Sequence, residues 1–306
     1  MHSLSESILK DYQVRKTKKQ KSRFIDLIKE NFPEAKVEQG GFPNNRNIVI
    51  GDIDNAEVII SAHYDTCAVL PFPNLIMPKN IFFTILYSFI ICIPFFVAMH
   101  LTNYLLGFFT DEFWIHYYIS LFVFIGLFLL VFIFGIPNKH TANDNTSGVV
   151  ALCEMILSMT KEEKSRCAFV FFDNEENGLF GSAFFRKLHK AQIKDKLLIN
   201  LDCVGDGDNF IVVENKPANE KYGALLRGAF SENMGKTMYF EKSSTTYYPS
   251  DQAGFPISVA VASMNKSRLF GLYMNRIHTR RDTVCDEGNI AFVCESLTAF
   301  VRELNK

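Results

Sequence analysis

Two long uncharged segments constrain the fold of this chain more than any other feature. No Asp, Glu, Lys or Arg occurs at residues 80–110, and none occurs at residues 113–138. A membrane-spanning helix needs roughly 20 predominantly apolar residues, and residues 81–99 and 114–136 both come close to or exceed that length. We therefore predict a transmembrane hairpin of two helices, inserted at residues 79–139.

The charges around the hairpin predict its orientation. Lys79, Lys139 and His140 flank it, whereas the connecting turn at residues 110–112 carries no cation. By the positive-inside rule, these few charges place the rest of the protein in the cytosol. Two spans return the chain to its starting side, so the segments before and after the hairpin can share one pocket. The alternative is a buried helical hairpin in a soluble dimer, although buried helices rarely need this length.

Outside the hairpin, the chain is long enough for one full-sized domain. Removing the insertion from 306 residues leaves on the order of 250, which can bury a core of their own. We predict that residues 1–78 and 140–306 are two parts of that domain. The net charge of -1 gives no reason to expect a nucleic-acid partner. The basic segment at residues 15–23 is predicted to be a solvated helix face, or to lie near anionic lipid headgroups.

The cysteines and the N-terminus favour a reducing compartment. No basic region followed by an apolar region opens the chain, so no cleavable secretory signal is predicted. The cysteines are odd in number and include no Cys-x-x-Cys pair that would suggest a sulfur zinc site, so we expect reduced, mostly packing residues. There are seven of them: Cys67, Cys92, Cys153, Cys167, Cys203, Cys285 and Cys294.

The remaining sequence has the pattern of an α/β domain. Short β-branched or aromatic runs predict strands at residues 47–51, 57–62, 167–172, 197–201, 210–214 and 257–262, and helical spacing predicts helices at residues 146–159, 179–190, 221–233 and 289–304. This alternation implies a mostly parallel mixed sheet flanked by helices. In such sheets ligands bind beyond the carboxyl ends of strands, which is where His63, residues 173–176 and Asp202 fall.

Three of the candidate functional residues have plausible structural roles. His63 and Asp65 stand in Ser-Ala-His-Tyr-Asp-Thr, and a His-x-Asp pair is more often a hydrogen-bonding pair than a metal site. Alternate residues of an extended segment face the same side, however, so Asp65 can fix the ring of His63. Asp144, in Ala-Asn-Asp-Asn-Thr-Ser-Gly, precedes a predicted helix, where its alternative role is an N-cap.

The other candidates are carboxylates and one histidine in later segments. Glu175 and Glu176 stand at a strand-to-helix turn in Phe-Asp-Asn-Glu-Glu-Asn-Gly, where one side chain can face a metal and the other can face water. Solvated glutamates are the alternative. Asp202 follows a buried strand, where a carboxylate needs a partner or a function. His278, in Ile-His-Thr-Arg-Arg-Asp-Thr, would be an ordinary histidine without the others.

Taken together, these segments resemble the aminopeptidase Y type of co-catalytic two-zinc exopeptidases, a family that also contains glutaminyl cyclase-like proteins. The resemblance covers roughly residues 48–282, outside the hairpin, and its motifs are specific as a set. It implies that His63 and Asp202 bind one zinc ion. It also implies that Glu176 and His278 bind a second zinc ion, and that Asp144 bridges the two ions.

The same resemblance assigns the remaining roles. It implies that Glu175 is the general base and that Asp65 supports His63. A further family segment near the pocket is similar to the one around Asp251, but the family usually has His after this Asp, whereas this chain has Gln252. Some aminopeptidases have a Tyr oxyanion donor immediately before the last histidine, and Ile277 stands there. The candidates to replace that donor are Tyr247, Tyr248 and Tyr273.

The resemblance implies an aminopeptidase that hydrolyses N-terminal residues from peptides, and the predicted hairpin would anchor it in a membrane. Its partners would be peptide substrates and the lipid bilayer. Three alternatives remain open: a glutaminyl cyclase-like transferase, a carboxypeptidase or other amidohydrolase, and a membrane scaffold without turnover. The sequence determines neither the preferred side chain nor the oligomeric state.

Overall fold

The computed structural model describes residues 1–231 and 235–304, and it confirms the α/β class. The described residues form a mixed sheet of nine strands. In chain order the strands are β1 (Lys36–Gly40), β2 (Asn45–Gly51), β3 (Val58–His63), β4 (Cys167–Phe172), β5 (Leu197–Leu201), β6 (Asn209–Glu214), β7 (Thr237–Lys242), β8 (Ile257–Ser267) and β9 (Gly271–Tyr273).

The middle of this sheet is parallel and buried. Strands β4, β3, β5 and β8 are neighbours in that order and run parallel. Every residue of β3, β4 and β5 is buried, because helices cover both faces. Such strands are nearly continuous apolar runs, which explains why the sequence predicts β4 and β5 with the bounds observed. Antiparallel pairs extend the sheet on both sides, from β4 to β2 and β1, and from β8 to β6.

Helices pack on both faces of the sheet. In chain order the α-helices of the described residues, including the two of the hairpin, are α1 (Ser3–Asp11), α2 (Lys18–Asn31), α3 (Ile81–Leu106), α4 (Phe113–Phe132), α5 (Gly148–Ser158), α6 (Lys161–Ser165), α7 (Phe180–Leu188), α8 (Lys216–Ala229) and α9 (Glu287–Glu303). The apolar faces of α1, α2, α5, α8 and α9 form the larger core against one face. On the other face, Phe185 of α7 packs against Phe172 and Phe255.

The sequence pattern misses elements at the periphery. Strands β1 and β7 lie at the two edges of the sheet, where they are only partly buried. Their charged residues obscure the alternation of apolar and polar side chains that identifies a strand in the sequence. Strand β9 and helices α1 and α6 are also not predicted, and α2 is predicted only as a solvated helix face that ends at residue 23. The helix predicted at residues 221–233 begins at Lys216, because Asn215 caps it by accepting a hydrogen bond from the Ala218 N–H. Residues 232 and 233 lie outside the described residues.

Helices α3 and α4 form the predicted hairpin. Their contact is largely aromatic, with the ring of Phe95 in α3 lying near the rings of Phe124, Phe128 and Phe132 in α4. In the most apolar 18-residue segment of each helix, only 6% of the residues are buried, so neither helix belongs to the core of the α/β domain. By length and composition, either helix could cross a membrane.

Candidate metal centre

The carboxyl ends of three central strands lie at one edge of the sheet. Strand β3 ends at His63, which pairs with Phe172, the last residue of β4. Residues 173–176 follow directly. Strand β5 lies on the other side of β3, and Asp202 follows its last residue, Leu201. Because parallel strands end at the same edge, three separate segments of the chain deliver polar side chains to one place.

Asp144 lies between two histidines. Its Oδ1 is 3.3 Å from His63 Nε2, and its Oδ2 is 2.9 Å from His278 Nε2. Each histidine also faces a second carboxylate. Asp202 Oδ1 is 3.6 Å from His63 Nε2, and Glu176 Oε2 is 3.2 Å from His278 Nε2. The five side chains therefore form two groups that share Asp144.

Asp282 fixes the turn that carries Asp144, a role that the sequence reasoning misses. Its two carboxylate oxygens accept hydrogen bonds from the backbone N–H groups of Asn143 at 2.7 Å and Asp144 at 3.1 Å. Burial raises the pKa of Asp282 to about 8. The sequence signal was its position four residues after His278 in the same polar segment.

Asn145 ties the same turn to the end of β5. Its side-chain nitrogen donates to the Leu201 carbonyl at 2.8 Å, and its side-chain oxygen accepts from the backbone N–H groups of Gly148 and Cys203. The residue is completely buried. The backbone that carries Asp144 is thus connected to the backbone on both sides of Asp202.

Asp65 contacts both His63 and the turn of the adjacent glutamates. Its carboxylate accepts hydrogen bonds from the backbone N–H groups of Glu175 at 3.0 Å and Glu176 at 3.3 Å. His63 Nδ1 lies 3.1 Å from the carbonyl oxygen of Asp65 and 3.6 Å from its Oδ1. The resemblance implies only the contact with His63, whereas the structure adds the contact with the glutamate turn.

Burial and mutual repulsion perturb the acidic groups. Burial raises the pKa of Glu175 well above its usual value, and Glu176 and Asp202 raise it further against the opposing effect of His63. Burial by itself would lower the pKa of both histidines. The surrounding carboxylates nevertheless raise the pKa of His63 and of His278 well above the usual value. A bound cation would compensate this concentration of buried negative charge.

The donor set is suited to zinc, which binds imidazole nitrogen and carboxylate oxygen. Ligand atoms of His63, Asp144 and Glu176 lie within 4.8 Å of one another, as do those of His63, Glu175 and Asp202. In addition, Glu176 Oε1 is buried and has no hydrogen-bond partner among residues 1–231 and 235–304. Buried polar atoms are nearly always satisfied, so this orphaned oxygen fits a metal ligand.

A known protein family matches this sequence. The family model of peptidase family M28 matches residues 132–291, slightly more than half of the chain. The chain belongs to peptidase family M28. No curated protein matches the sequence of this M28 chain.

Solved structures share the fold of the M28 chain at low sequence identity. The LapA aminopeptidase of Legionella pneumophila is 15% identical with a TM-score of 0.57, over 98% of this chain and 68% of that one. A glutaminyl cyclase of Porphyromonas gingivalis is 16% identical with a TM-score of 0.61, over 98% and 96%. A glutaminyl cyclase of Macrostomum lignano is 11% identical with a TM-score of 0.55, over 98% and 87%. Similarity at this level concerns the fold, which several activities share.

The other predicted site residues of the M28 chain have different environments. Asp251 is completely buried, and burial raises its pKa to about 7. Its neighbour Gln252 donates a hydrogen bond to the carbonyl of Tyr248 at 2.6 Å. The hydroxyl of Tyr248 donates to the Asp202 carbonyl at 3.1 Å, so in this structure its proton is used in that hydrogen bond and not as an oxyanion donor. Tyr247 is exposed, and Ile277 is buried in an apolar cluster.

Two cations from the basic N-terminal segment of the M28 chain point inward. Arg15 is completely buried and donates hydrogen bonds to the carbonyls of Tyr64 and Tyr12 at 2.5 Å and to Thr146 Oγ1 at 3.1 Å. Tyr64 lies between His63 and Asp65 in the sequence, so Arg15 supports the end of β3. The prediction of a solvated helix face is therefore wrong for Arg15.

Lys21 is the second inward-pointing cation. Its Nζ lies 2.5 Å from Asp173 Oδ1 and 2.7 Å from Asn174 Oδ1, and the residue is buried. Asp173 and Asn174 directly precede the adjacent glutamates in the sequence. The prediction of a solvated helix face is wrong for Lys21 as well, because this side chain anchors the glutamate turn.

The base of the hairpin is hydrogen-bonded to the segment of His278. The Leu70 N–H donates to the His278 carbonyl at 2.8 Å, and the Val69 N–H donates to the Ile136 carbonyl at 2.9 Å. The side chain of Asn138 donates to the Thr279 carbonyl at 3.0 Å. His278 itself adopts φ +59°, in the left-handed region. Hydrogen bonds therefore connect the hairpin insertion to the His278 side of the candidate metal centre.

Proposed function

We propose that this M28 protein is a zinc-dependent aminopeptidase that α3 and α4 anchor in a membrane. The observation that carries the proposal is the position of Asp144, whose two oxygens face different histidines. A carboxylate in that position is suited to hold two metal ions in one pocket. In this proposal His63 and Asp202 would hold one zinc ion, Glu176 and His278 would hold the other, and Asp144 would bind both.

Zinc, when bound, supplies Lewis acidity, which polarises a substrate carbonyl and lowers the pKa of water. The protein itself supplies proton transfer and positioning. Glu175 Oε2 lies 4.0 Å from His63 Nε2, so its carboxylate faces the same pocket as the ligands. Burial raises the pKa of Glu175, which makes its carboxylate a stronger base for accepting a proton from attacking water and returning it to the departing amine. Asp65 holds the backbone of Glu175 during this exchange.

The fold by itself does not decide between the alternatives, because an aminopeptidase and glutaminyl cyclases both share it. The complete set of Glu175 and five ligand candidates argues against a scaffold without turnover. A cyclase would release ammonia from N-terminal glutamine, whereas a carboxypeptidase would remove residues from the other end of a peptide. Product analysis therefore separates the three reactions.

The membrane part of the proposal rests on the exposed apolar surface of α3 and α4. Large apolar patches on a protein surface mark an interaction with lipid or with another protein. Here the exposed side chains cover helices long enough to cross a bilayer, which favours lipid. We propose the division into residues 1–78, 79–139 and 140–306, in which the first and last parts form the catalytic domain on the cytosolic side.

The deciding experiment combines zinc content with hydrolysis of a panel of aminoacyl amides and blocked peptides by the detergent-purified protein. Glu175→Gln is the matched control, since it keeps the size of the side chain but removes its basicity. The proposal requires two zinc ions per chain and release of N-terminal residues that depends on Glu175. Two zinc ions with conversion of a peptide's N-terminal glutamine to the cyclised pyroglutamyl form, and no release of a free N-terminal residue, would indicate a cyclase. Absence of zinc would refute the metallopeptidase assignment.

A topology experiment tests the membrane assignment separately. One reporter is inserted at Asp111, in the turn between α3 and α4, and another is fused to the C-terminus. The proposal requires the two reporters to lie on opposite sides of the membrane. Reporters on the same side would contradict it without affecting the assignment of the catalytic residues.

A further inference from the structure

Cys67 lies beside the second group of candidate ligands. It follows Asp65 by two positions and is 4% exposed. Its Sγ, a carboxylate oxygen of Glu176 and a ring nitrogen of His278 all lie within 4.8 Å of one another. The Leu70–His278 backbone hydrogen bond keeps the segment after Cys67 next to the histidine. The expectation that the cysteines are mostly packing residues does not account for this placement.

The thiol of Cys67 is poorly satisfied by the protein. Among the described residues, its only hydrogen-bond contact is Asn138 Nδ2, which approaches Sγ at 4.0 Å. In contrast, the nearby Cys203 Sγ donates to Asp202 Oδ1 at 3.1 Å. Within the part of the chain that the structure describes, Glu176 Oε1 also has no hydrogen-bond partner, although the Glu176 side chain is only 7% exposed. A poorly satisfied thiol, a carboxylate with one unpartnered oxygen and an imidazole thus converge.

We propose that Cys67 is a further ligand of the zinc ion that Glu176 and His278 would hold. The inference rests on the proposed zinc centre. On coordination the S–H bond breaks, a sulfur–metal bond forms, and the proton leaves to solvent. The metal keeps its oxidation state, so the step needs no redox partner.

This ligand makes the two metal positions unequal. Cys203 lies near Asp144 and Asp202, but its thiol is bonded to Asp202 and we do not count it as a ligand. With Asp144 shared, the position at His278 then has four protein ligands, whereas the position at His63 has three. Closed four-ligand sites are typical of structural zinc, and sites with three protein ligands keep a place open for water or substrate. A thiolate is also a softer ligand than a carboxylate and favours zinc over magnesium or manganese. The ion at His63 is therefore expected to exchange first and to be the one that substrate reaches.

Cobalt substitution of the full-length, detergent-purified protein tests the inference without measuring activity. Cobalt(II) bound to a thiolate has a sulfur-to-metal charge-transfer band in the near ultraviolet, in addition to the visible bands that any bound cobalt shows. We expect that band in the wild type and in Cys203→Ser, and its loss in Cys67→Ser. We also expect Cys67→Ser to weaken binding of one of the two cobalt ions by at least about 10-fold.

The outcomes separate this inference from the proposed function. Two bound cobalt ions and aminopeptidase activity without a charge-transfer band would overturn the role of Cys67 alone. Persistence of the band in Cys67→Ser, or its loss only in Cys203→Ser, would also overturn it. Failure to bind any cobalt would overturn both proposals. Cys67→Ala provides a second variant in which no hydroxyl can replace the thiol.

Discussion

Replacing Arg15 by Met should destabilise the protein by about 3 kcal/mol. The substitution keeps an unbranched side chain of similar length but removes every donor of the guanidinium. The carbonyls of Tyr64 and Tyr12 then lose the hydrogen bonds that Arg15 provides. A buried acceptor left without a donor costs about 1–3 kcal/mol. Thr146 loses less, because its hydroxyl also contacts Thr141 at 3.3 Å.

Two further effects of the Arg15→Met substitution change the stability of the protein in opposite directions. Burial lowers the pKa of Arg15 to about 10, so the native protein holds this charge at a cost that Met avoids. The nearby carboxylates of Asp65 and Asp144, however, lose a compensating cation. Zinc can replace that compensation. We therefore expect Arg15→Met to destabilise the metal-free protein more than the zinc-loaded protein.

Thermal unfolding of the detergent-purified protein, with and without zinc, measures both effects. For a domain of this size, about 3 kcal/mol corresponds to a decrease in Tm of roughly 6–12 °C. Arg268→Met is the matched control, because Arg268 is exposed. Equal Tm values for the two variants would refute the proposed support of β3 by Arg15. An equal decrease in the Tm of Arg15→Met with and without zinc would refute the claim that zinc replaces the charge compensation of Arg15.

Four other measurements test the site and the hairpin. Glu175→Gln should leave zinc bound but reduce hydrolysis by roughly 10²–10⁴-fold, and unchanged turnover would exclude it as general base. Asp144→Ala should weaken both metal positions, and two tightly bound zinc ions in this variant would refute its bridging role. Asp282→Asn should lower zinc affinity by roughly 10–100-fold, because it loses one of the acceptors that hold the Asp144 turn. Zinc affinity should rise with pH, since the pKa values of His63 and His278 lie above the usual range and metal must displace their protons. An affinity that does not change as pH rises through neutrality would contradict that reasoning.

The sequence predicts the centre of the fold better than its edges. Strands β4 and β5 are apolar throughout, because both faces of the sheet are covered, and their bounds are predicted correctly. Strands β1 and β7 have one neighbour each and remain partly exposed, so local pattern does not identify them. Helices α1 and α2 are amphipathic but short, and their charged residues suggest a solvent-facing segment.

Residues that support the candidate ligands are harder to predict than the ligands themselves. His63, Asp144 and His278 stand in recognisable motifs, and their residue types are those of metal ligands. Arg15 and Lys21 show no such signal, because a basic segment usually lies on the surface. Their burial depends on carboxylates and carbonyls more than 45 residues away in the sequence. Asp282 is an intermediate case. Its position in the polar segment of His278 suggests a role near the site, but the sequence does not reveal that it holds the turn of Asp144.

The sequence by itself determined the α/β class, the uncharged hairpin and the composition of the candidate site, because these depend on local periodicity and on residue types in order. The tertiary structure decided which donors meet. It placed one oxygen of Asp144 near each histidine, turned Asp65 toward the glutamate backbone and brought Cys67 to His278. These contacts join segments far apart in the chain, and their distances depend on the register of parallel strands and the path of connecting turns. Local sequence pattern contains no direct information about either.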